Sequence, residues 1–199
     1  MSAKLLPIRR RAGRSGEMSD EALVAACAER DPSALAALFD RYHGDVHRFL
    51  GRLAGSGVDE DVVDDLAQDT FVQLFESAGR FRRGSQVRTW LLGIASNLAR
   101  QHVRSDMRRK ARAAAYLERL PAEVGLPSDE VHRRQLRDAI AAAVNELPHD
   151  QRVAWLMCDV EEVRGVDAAK ALGLRQGTLY RRLHEARRAL RARLEEGAR

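Results

Sequence analysis

Carboxylates recur at helical spacing in the stretch from 61 to 79. Asp61, Asp65 and Asp69 are four residues apart, and Gln68 precedes the last of them. At about 100° per residue these side chains share one face of a helix, opposite an apolar stripe. Carboxylates four apart can bind a divalent cation against a diphosphate. A prenyl-transfer site would need a carboxylate at position 68 and a second acidic cluster, so a solvated acidic face is favoured.

A second helix, predicted from 89 to 110, has an outer face that combines a ring, amides and guanidiniums. Rings stack on exposed bases and arginines bind phosphates, so this face suits nucleic acid with unpaired bases. The preceding loop contains glycine, arginines and Phe81, which also suit a position near phosphate. A single Trp at a helix start could equally cap the core, and the combination on one face favours DNA. The outer residues are Trp90, Asn97, Gln101, Arg104 and Arg108, opposite Leu91, Ile94, Ala95 and Leu98.

The apolar positions of the acidic helix are typical of a helix in an all-α fold. They recur at three-and-four spacing, as a buried helical stripe requires. The stripe consists of Val63, Leu66, Ala67, Thr70, Phe71, Leu74, Phe75 and Ala78.

Composition restricts the class of protein and of partner. Of the 199 residues 32% are charged and only 5% aromatic, and the formal net charge is +5, which favours a polyanionic partner. No apolar run reaches the roughly 18 residues that cross a bilayer, and no signal peptide is evident, so we expect a cytoplasmic protein without membrane insertion. Cys27 and Cys158 lie among apolar residues and are expected as reduced thiols. His43 and His47 lack a third ligand, and we expect no metal or cofactor.

The chain divides into two small helical domains joined by a flexible linker. Residues 1–17 are predicted as a disordered basic tail, and 18–110 as the first domain. In the latter, Ser19 or Asp20 caps one helix, and Asp31 with Pro32 begins the next. Residues 111–127, with two prolines, are predicted as the linker. Residues 128–199 form the second domain, which begins with Ser128 as a helix cap.

The second domain ends in a predicted helix-turn-helix. Ala169, Leu172, Gly173 and Leu174 form a small-residue corner, and in this motif the helix that follows enters the major groove. A solvated basic helix is the alternative, and the position directly after the glycine turn favours DNA. Leu179, Leu183, Ala186, Leu190 and Leu194 are predicted to face inward, and Arg181, His184 and Arg188 outward, with Tyr180 and Arg191 at the edges.

Two blocks of sequence resemble the sigma-70 family of transcription initiation factors, specifically its extracytoplasmic-function (ECF) group. The first block is similar to the promoter-melting region and the second to the −35-binding domain. The residues of the first block are Asp64-Asp65-Leu66-Ala67-Gln68-Asp69-Thr70-Phe71, Phe81, Trp90-Leu91-Leu92-Gly93-Ile94-Ala95-Ser96-Asn97 and Arg104. Those of the second are Leu147-Pro148, Gln151-Arg152, Ala169, Leu172-Gly173, Gly177-Thr178, Arg182-Leu183, Ala186-Arg187 and Leu190.

The resemblance implies a sigma factor that binds core RNA polymerase, directs it to promoters and assists strand opening, without being an enzyme. Its partners would be the clamp of the largest polymerase subunit, the flap of the second-largest subunit, promoter DNA and a cognate anti-sigma factor. The polymerase-binding residues implied are Asp61, Asp65, Gln68, Asp69, Phe71 and Phe75. Those for the −10 element are Phe81, Arg88, Trp90, Asn97, Gln101, Arg104 and Arg108. Those for the −35 element are Arg175, Gln176, Thr178, Tyr180, Arg181, His184 and Arg188.

Three departures from the family pattern concern DNA contacts. The family usually has an acidic residue where Gln101 stands, which affects the preferred −10 sequence. Arg164-Gly165-Val166-Asp167 replaces the usual polar cap and acidic pair, and Leu179-Tyr180-Arg181 replaces small or Lys residues. Two other classes of protein stay open: a stand-alone helix-turn-helix regulator that binds duplex DNA without polymerase, and a magnesium-dependent enzyme built on the acidic helix.

Overall fold

The computed structural model describes residues 18–55, 58–82, 84–114 and 140–197, the side chains of 107–114 and 196–197 excepted. All regular elements in these ranges are helical, which confirms the all-α prediction. We call residues 18–114 the first half and residues 140–197 the second half. The predicted tail at 1–17, residues 115–127 of the predicted linker and the cap at Ser128 lie outside the described residues. Residues 111–114 of that predicted linker are helical instead. Among the described helices, none has the length and apolarity that crossing a bilayer requires.

The first two helices begin at the predicted capping residues. Helix α1 spans Asp20–Ala28, and the Ser19 hydroxyl accepts a hydrogen bond from the Ala22 amide at 3.3 Å. Helix α2 spans Pro32–Ala54, and the Asp31 carboxylate accepts from the Ser33 amide at 2.8 Å. Each cap satisfies an amide that has no partner within the helix, which fixes where the helix starts.

The acidic helix and the Trp-containing helix follow as α3 and α4. Helix α3 spans Glu60–Ser77, with Asp59 as its N-cap, and a 3-10 turn at Ala78–Arg80 ends it. Helix α4 spans Val87–Ala114 and begins two residues before the predicted start. The predicted stripe of α3 is buried, apart from the half-buried Phe75.

The second half contains four helices. Residues 140–146 form α5, α6 spans His149–Trp155, and a π-helical turn, Leu156–Val160, extends it. Helix α7 spans Gly165–Ala171 and α8 spans Gln176–Gly197. Gly173, between α7 and α8, has φ of +65°, a left-handed conformation that glycine adopts without the cost a Cβ imposes. The structure therefore has the predicted helix-turn-helix, although Leu194 is 37% exposed and its predicted inward position was wrong.

The two halves share one apolar core. A continuous cluster of buried side chains extends from Leu23 of α1 through Leu91 of α4 to Leu183 of α8. In the predicted stripe of α4, Leu91 and Ala95 are buried and Ile94 and Leu98 are half-buried. Leu92, Ser96 and Ala99 are buried as well, so α4 is covered on two sides. A smaller cluster joins α5 to the later part of α8 and contains Ala143, Val144, Leu147, Ala186 and Leu190.

Candidate nucleic-acid and partner interfaces

The acidic face of α3 is exposed along its length. Asp61, Asp65, Gln68 and Asp69 are all exposed. Acidic residues occupy the first turn of α3, and its last turn contains no basic residue. The helix therefore presents negative charge that no basic residue of its last turn balances. Such a surface complements a basic partner.

Two phenylalanines of the predicted polymerase contact support this face from inside. Phe71 is only 3% exposed, and its ring centroid lies 4.9 Å from that of Phe39. Its placement as a direct contact therefore needs correction, because apolar packing withdraws the ring from the surface. Phe75 is half-buried, and the Arg30 guanidinium lies 5.5 Å from its ring centroid. Val72 contributes apolar surface to this face and is 54% exposed; at about 100° per residue it follows Asp65 and Asp69 in the helical register.

The start of α4 forms an aromatic pair with the loop before it. The Phe81 and Trp90 ring centroids are 5.1 Å apart, with the ring planes inclined by 51°. Both rings are half-buried, and they line a cavity of about 350 Å³ together with Arg80, Arg82 and residues of α7. A paired aromatic wall with cations beside it suits a base and its phosphate.

The remaining predicted −10 residues are not all presented to solvent. Gln101 and Arg104 are exposed on α4, and Asn97 is half-buried. The side chain of Arg108 lies outside the described residues. Arg88 points toward the second half of the chain, where it forms an ion pair with Glu161.

Arg88 occupies the centre of an ion-pair network. Its Nε lies 2.9 Å from the Asp45 carboxylate, and its Nη2 pairs with Glu161. Burial opposes the charged form, but the hydrogen bonds to Asp45 and Glu161 raise the pKa of Arg88. The guanidinium is therefore charged and held within the protein, so this arrangement does not offer it to DNA.

The predicted −35 residues lie around the start of α8. Tyr180 is 49% exposed and its ring lies against Gly165 of α7. Arg181 pairs with Glu185 at 2.9 Å, one helical turn away. The structure thus brings most of the predicted set to one solvent-facing side of the helix-turn-helix. The exposed members are Arg175, Gln176, Tyr180, Arg181, His184 and Arg188, and Thr178 is half-buried.

Other titratable groups have structural partners. His47 Nε2 lies 3.0 Å from the Asp64 carboxylate, and His43 packs against Phe39 with ring centroids 4.5 Å apart. Cys27 and Cys158 are free thiols, and burial, aided by Asp31, raises the pKa of Cys27 to about 11. No group of three or more metal-ligating side chains is present within the described residues.

Sequence comparisons identify both halves with known domains. Sigma-70 region 2 matches residues 38–109, and sigma-70 region 4 matches residues 137–190. Two solved structures share the fold. CnrH, in complex with the cytosolic domain of CnrY, has a TM-score of 0.61 at 22% identity and covers 89% of this chain and 97% of its own. The sigma factor RpoE, in complex with the anti-sigma factor NepR from Bartonella quintana, has a TM-score of 0.59 at 23% identity and covers 79% and 94%.

Curated relatives extend the match over most of the chain. ECF RNA polymerase sigma factor SigM of Mycobacterium tuberculosis is 35% identical, over 87% of this chain and 84% of its own length. RNA polymerase sigma-H factor of Pseudomonas aeruginosa is 31% identical, over 86% and 91%. ECF sigma factor SigE of Mycolicibacterium smegmatis is 34% identical over 76% of this chain, which spans only 58% of that relative. The chain therefore belongs to the sigma-70 family, and within that family it is an ECF RNA polymerase sigma factor.

Proposed function

We propose that three surfaces of this sigma factor divide the work of initiation. The acidic face of α3, with Asp61, Asp65, Gln68 and Asp69, binds the clamp of the largest subunit of core RNA polymerase. The observation that supports this most directly is that all four side chains are exposed on one side of one helix. Complementary charge speeds association and suppresses wrong partners.

The loop before α4, together with Trp90, Asn97, Gln101 and Arg104, opens the −10 element. Unpairing and unstacking a base costs a few kcal/mol, and stacking on rings with phosphate contacts returns that energy. The paired rings of Phe81 and Trp90, beside Arg80 and Arg82, support this assignment.

The exposed side of α8 binds the −35 element. Arginines supply a sequence-independent and salt-dependent part of the affinity. Base-edge contacts supply the specificity, and the exposure of Arg181 and Arg188 on α8 supports their assignment to the DNA-facing side. The second half also contacts the flap of the second-largest polymerase subunit.

We assign this protein to the cytoplasm, where core polymerase and the chromosome are found, and assign it no catalytic activity of its own. The sigma factor RpoE of Bartonella quintana has been crystallised in complex with the anti-sigma factor NepR. We infer that this chain likewise has a cognate anti-sigma factor, which covers its polymerase-binding and DNA-binding faces.

The experiment is reconstitution with core RNA polymerase. The purified protein is mixed with core enzyme, co-elution is measured, and run-off transcription is performed on fragmented DNA from the source genome. Asp65→Ala is compared with its neighbour Asp64→Ala, which removes the same charge from a residue that pairs with His47 instead of facing solvent alone.

The proposal predicts discrete new transcripts with the wild-type protein. It also predicts loss of core-enzyme affinity for Asp65→Ala, with affinity retained by Asp64→Ala. An equal loss of core-enzyme affinity in both variants would contradict the assignment of α3's outer face as the docking surface. Binding to a palindromic duplex without any polymerase association would instead identify a stand-alone regulator.

A further inference from the structure

A carboxylate on α8 pairs with one of the arginines proposed for the −35 element. Oε1 of Glu185 accepts a hydrogen bond from Nη1 of Arg181 at 2.9 Å. The other carboxylate oxygen, Oε2, accepts from Nε2 of Gln151 on α6 at 3.0 Å. The Arg181 side chain is 65% exposed, whereas that of Glu185 is only 29% exposed. A residue of α6 thus restrains the carboxylate, and the carboxylate holds an exposed guanidinium.

The contact from α6 makes this pair more ordered than an ordinary surface ion pair. An exposed pair one helical turn apart loses most of its energy to side-chain entropy and solvent screening. Here Gln151 is half-buried, and its main-chain amide donates to the Pro148 carbonyl oxygen at 2.9 Å, so its position is fixed. Because Gln151 holds one oxygen of Glu185, the other oxygen stays aimed at Arg181. The guanidinium is therefore oriented before DNA binds.

The pairing leaves one edge of the Arg181 guanidinium available. Nη1 donates to Glu185, and among the described residues Nε and Nη2 have no partner. This is the edge that can make two parallel hydrogen bonds. Arg187 uses the same edge, since its Nε and Nη2 donate to the Asp159 carboxylate at 2.9 and 2.5 Å. Guanine presents two acceptors, O6 and N7, that fit such an edge in the major groove.

The charge of Glu185 disfavours a phosphate at this edge. A phosphate bound there would lie close to a carboxylate of the same sign, and like charges repel. The acceptor edge of guanine carries no net charge and meets no such repulsion. Arg188 is also exposed on α8, but it has no carboxylate partner in the part of the chain that the structure describes. Its charge is thus unopposed and suits a phosphate contact.

We propose that Arg181 binds a guanine of the −35 element through Nε and Nη2, and that Glu185, anchored by Gln151, is the positioning residue that directs Arg181 to a base instead of a phosphate. Arg188 contacts a phosphate. The inference rests on the proposed function, because it takes the exposed side of α8 as the −35 surface. Glu185 acts through Arg181 and contacts no base itself.

The test measures binding of the full-length protein, reconstituted with core RNA polymerase, to a promoter mapped by run-off transcription. Fragments with single base-pair changes through the −35 element compete against the labelled promoter. Arg181→Lys keeps the charge and removes the planar fork, and Arg188→Lys is the matched change on the same helix. Glu185→Gln removes the negative charge beside Arg181, and Glu195→Gln removes one from an exposed residue near the end of α8.

We expect the wild-type protein to prefer guanine over the other bases at one −35 position by about tenfold, the discrimination of one bidentate contact. Arg181→Lys and Glu185→Gln should each remove most of that preference, the latter by tighter binding to the substituted fragments. Arg188→Lys should change affinity for all fragments by the same factor, and Glu195→Gln should match wild type. A merely structural role of Glu185 would instead lower affinity on every fragment and leave the preference unchanged.

A guanine preference that persists in Arg181→Lys would overturn the proposal, and so would an equal loss on all fragments, which indicates a phosphate contact. If Glu185→Gln loses helical circular dichroism, Gln151→Ala replaces it, because that variant releases the carboxylate without changing its charge. A −35 preference that depends on neither Arg181 nor Glu185 would refute this inference alone. Absence of any −35 preference in the wild-type protein would refute the proposed function of α8.

Discussion

The ring of Tyr180 on α8 lies directly on Gly165 at the start of α7. A Cβ at position 165 would be 2.8 Å from the Tyr180 hydroxyl and 2.9 Å from ring carbons. Both residues depart from the usual family pattern, and the structure brings the two departures together. The absence of a side chain at 165 makes room for the Tyr180 ring.

Gly165→Ala should therefore change −35 binding through the position of Tyr180. We expect a several-fold loss of affinity for the −35 duplex, with a change in unfolding free energy below about 1 kcal/mol, because the displaced atoms are the end of one side chain. In a Tyr180→Ala background, Gly165→Ala should have no further effect on affinity. Fluorescence anisotropy across this double-mutant cycle measures the coupling, and additive losses would contradict it.

Two helical glycines should respond oppositely to alanine. Gly93→Ala places a methyl group against the Ala171 backbone and should lower the unfolding free energy by about 1–3 kcal/mol, the usual cost of overpacking. Gly51→Ala meets nothing within 4 Å and should raise the unfolding free energy by about 0.5–1 kcal/mol. Urea denaturation of both variants provides the measurement. Stabilisation by Gly93→Ala would mean that α4 and α7 are not in contact.

Acidic pH should destabilise the fold through His149. Burial, together with Arg100 and Arg152, lowers the pKa of His149 from 6.5, although Asp150 and the Ser96 main chain oppose the change. The unfolded chain therefore binds a proton more readily than the folded one, and stability falls as pH drops below about 6.5. Between about pH 7.5 and about pH 5.5, Tm should fall less in His149→Gln than in wild type. Parallel pH profiles for the two proteins would exclude this residue as the cause.

Trp90→Ala and Arg181→Ala should separate strand opening from promoter binding. Trp90→Ala removes the ring that pairs with Phe81 and should reduce permanganate reactivity of the −10 thymines while sparing −35 duplex affinity. Arg181→Ala should weaken −35 affinity by roughly tenfold, the range for one base or phosphate contact. On templates saturated with core RNA polymerase and the Arg181→Ala variant, the permanganate reactivity of the −10 thymines should stay normal. Normal reactivity in the Trp90 variant would count against its assignment.

Helix positions and caps could be predicted from the sequence because they depend on local chemistry. Ser19 and Asp31 cap the helices that they were expected to cap, and the stripe of α3 is buried as its spacing required. Periodicity did not predict the second buried side of α4, with Leu92 and Ala99. Helix α4 also packs against α7, far along the chain, where Gly93 lies against Ala171, and no local pattern encodes such a contact.

The sequence predicted which helix faces form the candidate site more accurately than it predicted the contacts of single residues. Register placed Asp65 and Asp69 correctly on an exposed surface. Register also placed Phe71 on the inward stripe, where it is buried, whereas its assignment as a polymerase contact came from the family resemblance and not from periodicity. Periodicity could not indicate that Arg88 pairs with Glu161, because it carries no information on how the two halves are oriented relative to each other.

The contact of Gly93 with Ala171 has a consequence for how this factor can evolve. Sigma factors with separable domains could exchange them by recombination, each half keeping its own specificity. Here, a first half with a side chain at position 93 would clash with the backbone of residue 171, so a chimera carrying such a half could not form this contact. The two halves of this chain are therefore expected to be inherited together, with position 93 limited to glycine wherever position 171 packs against it.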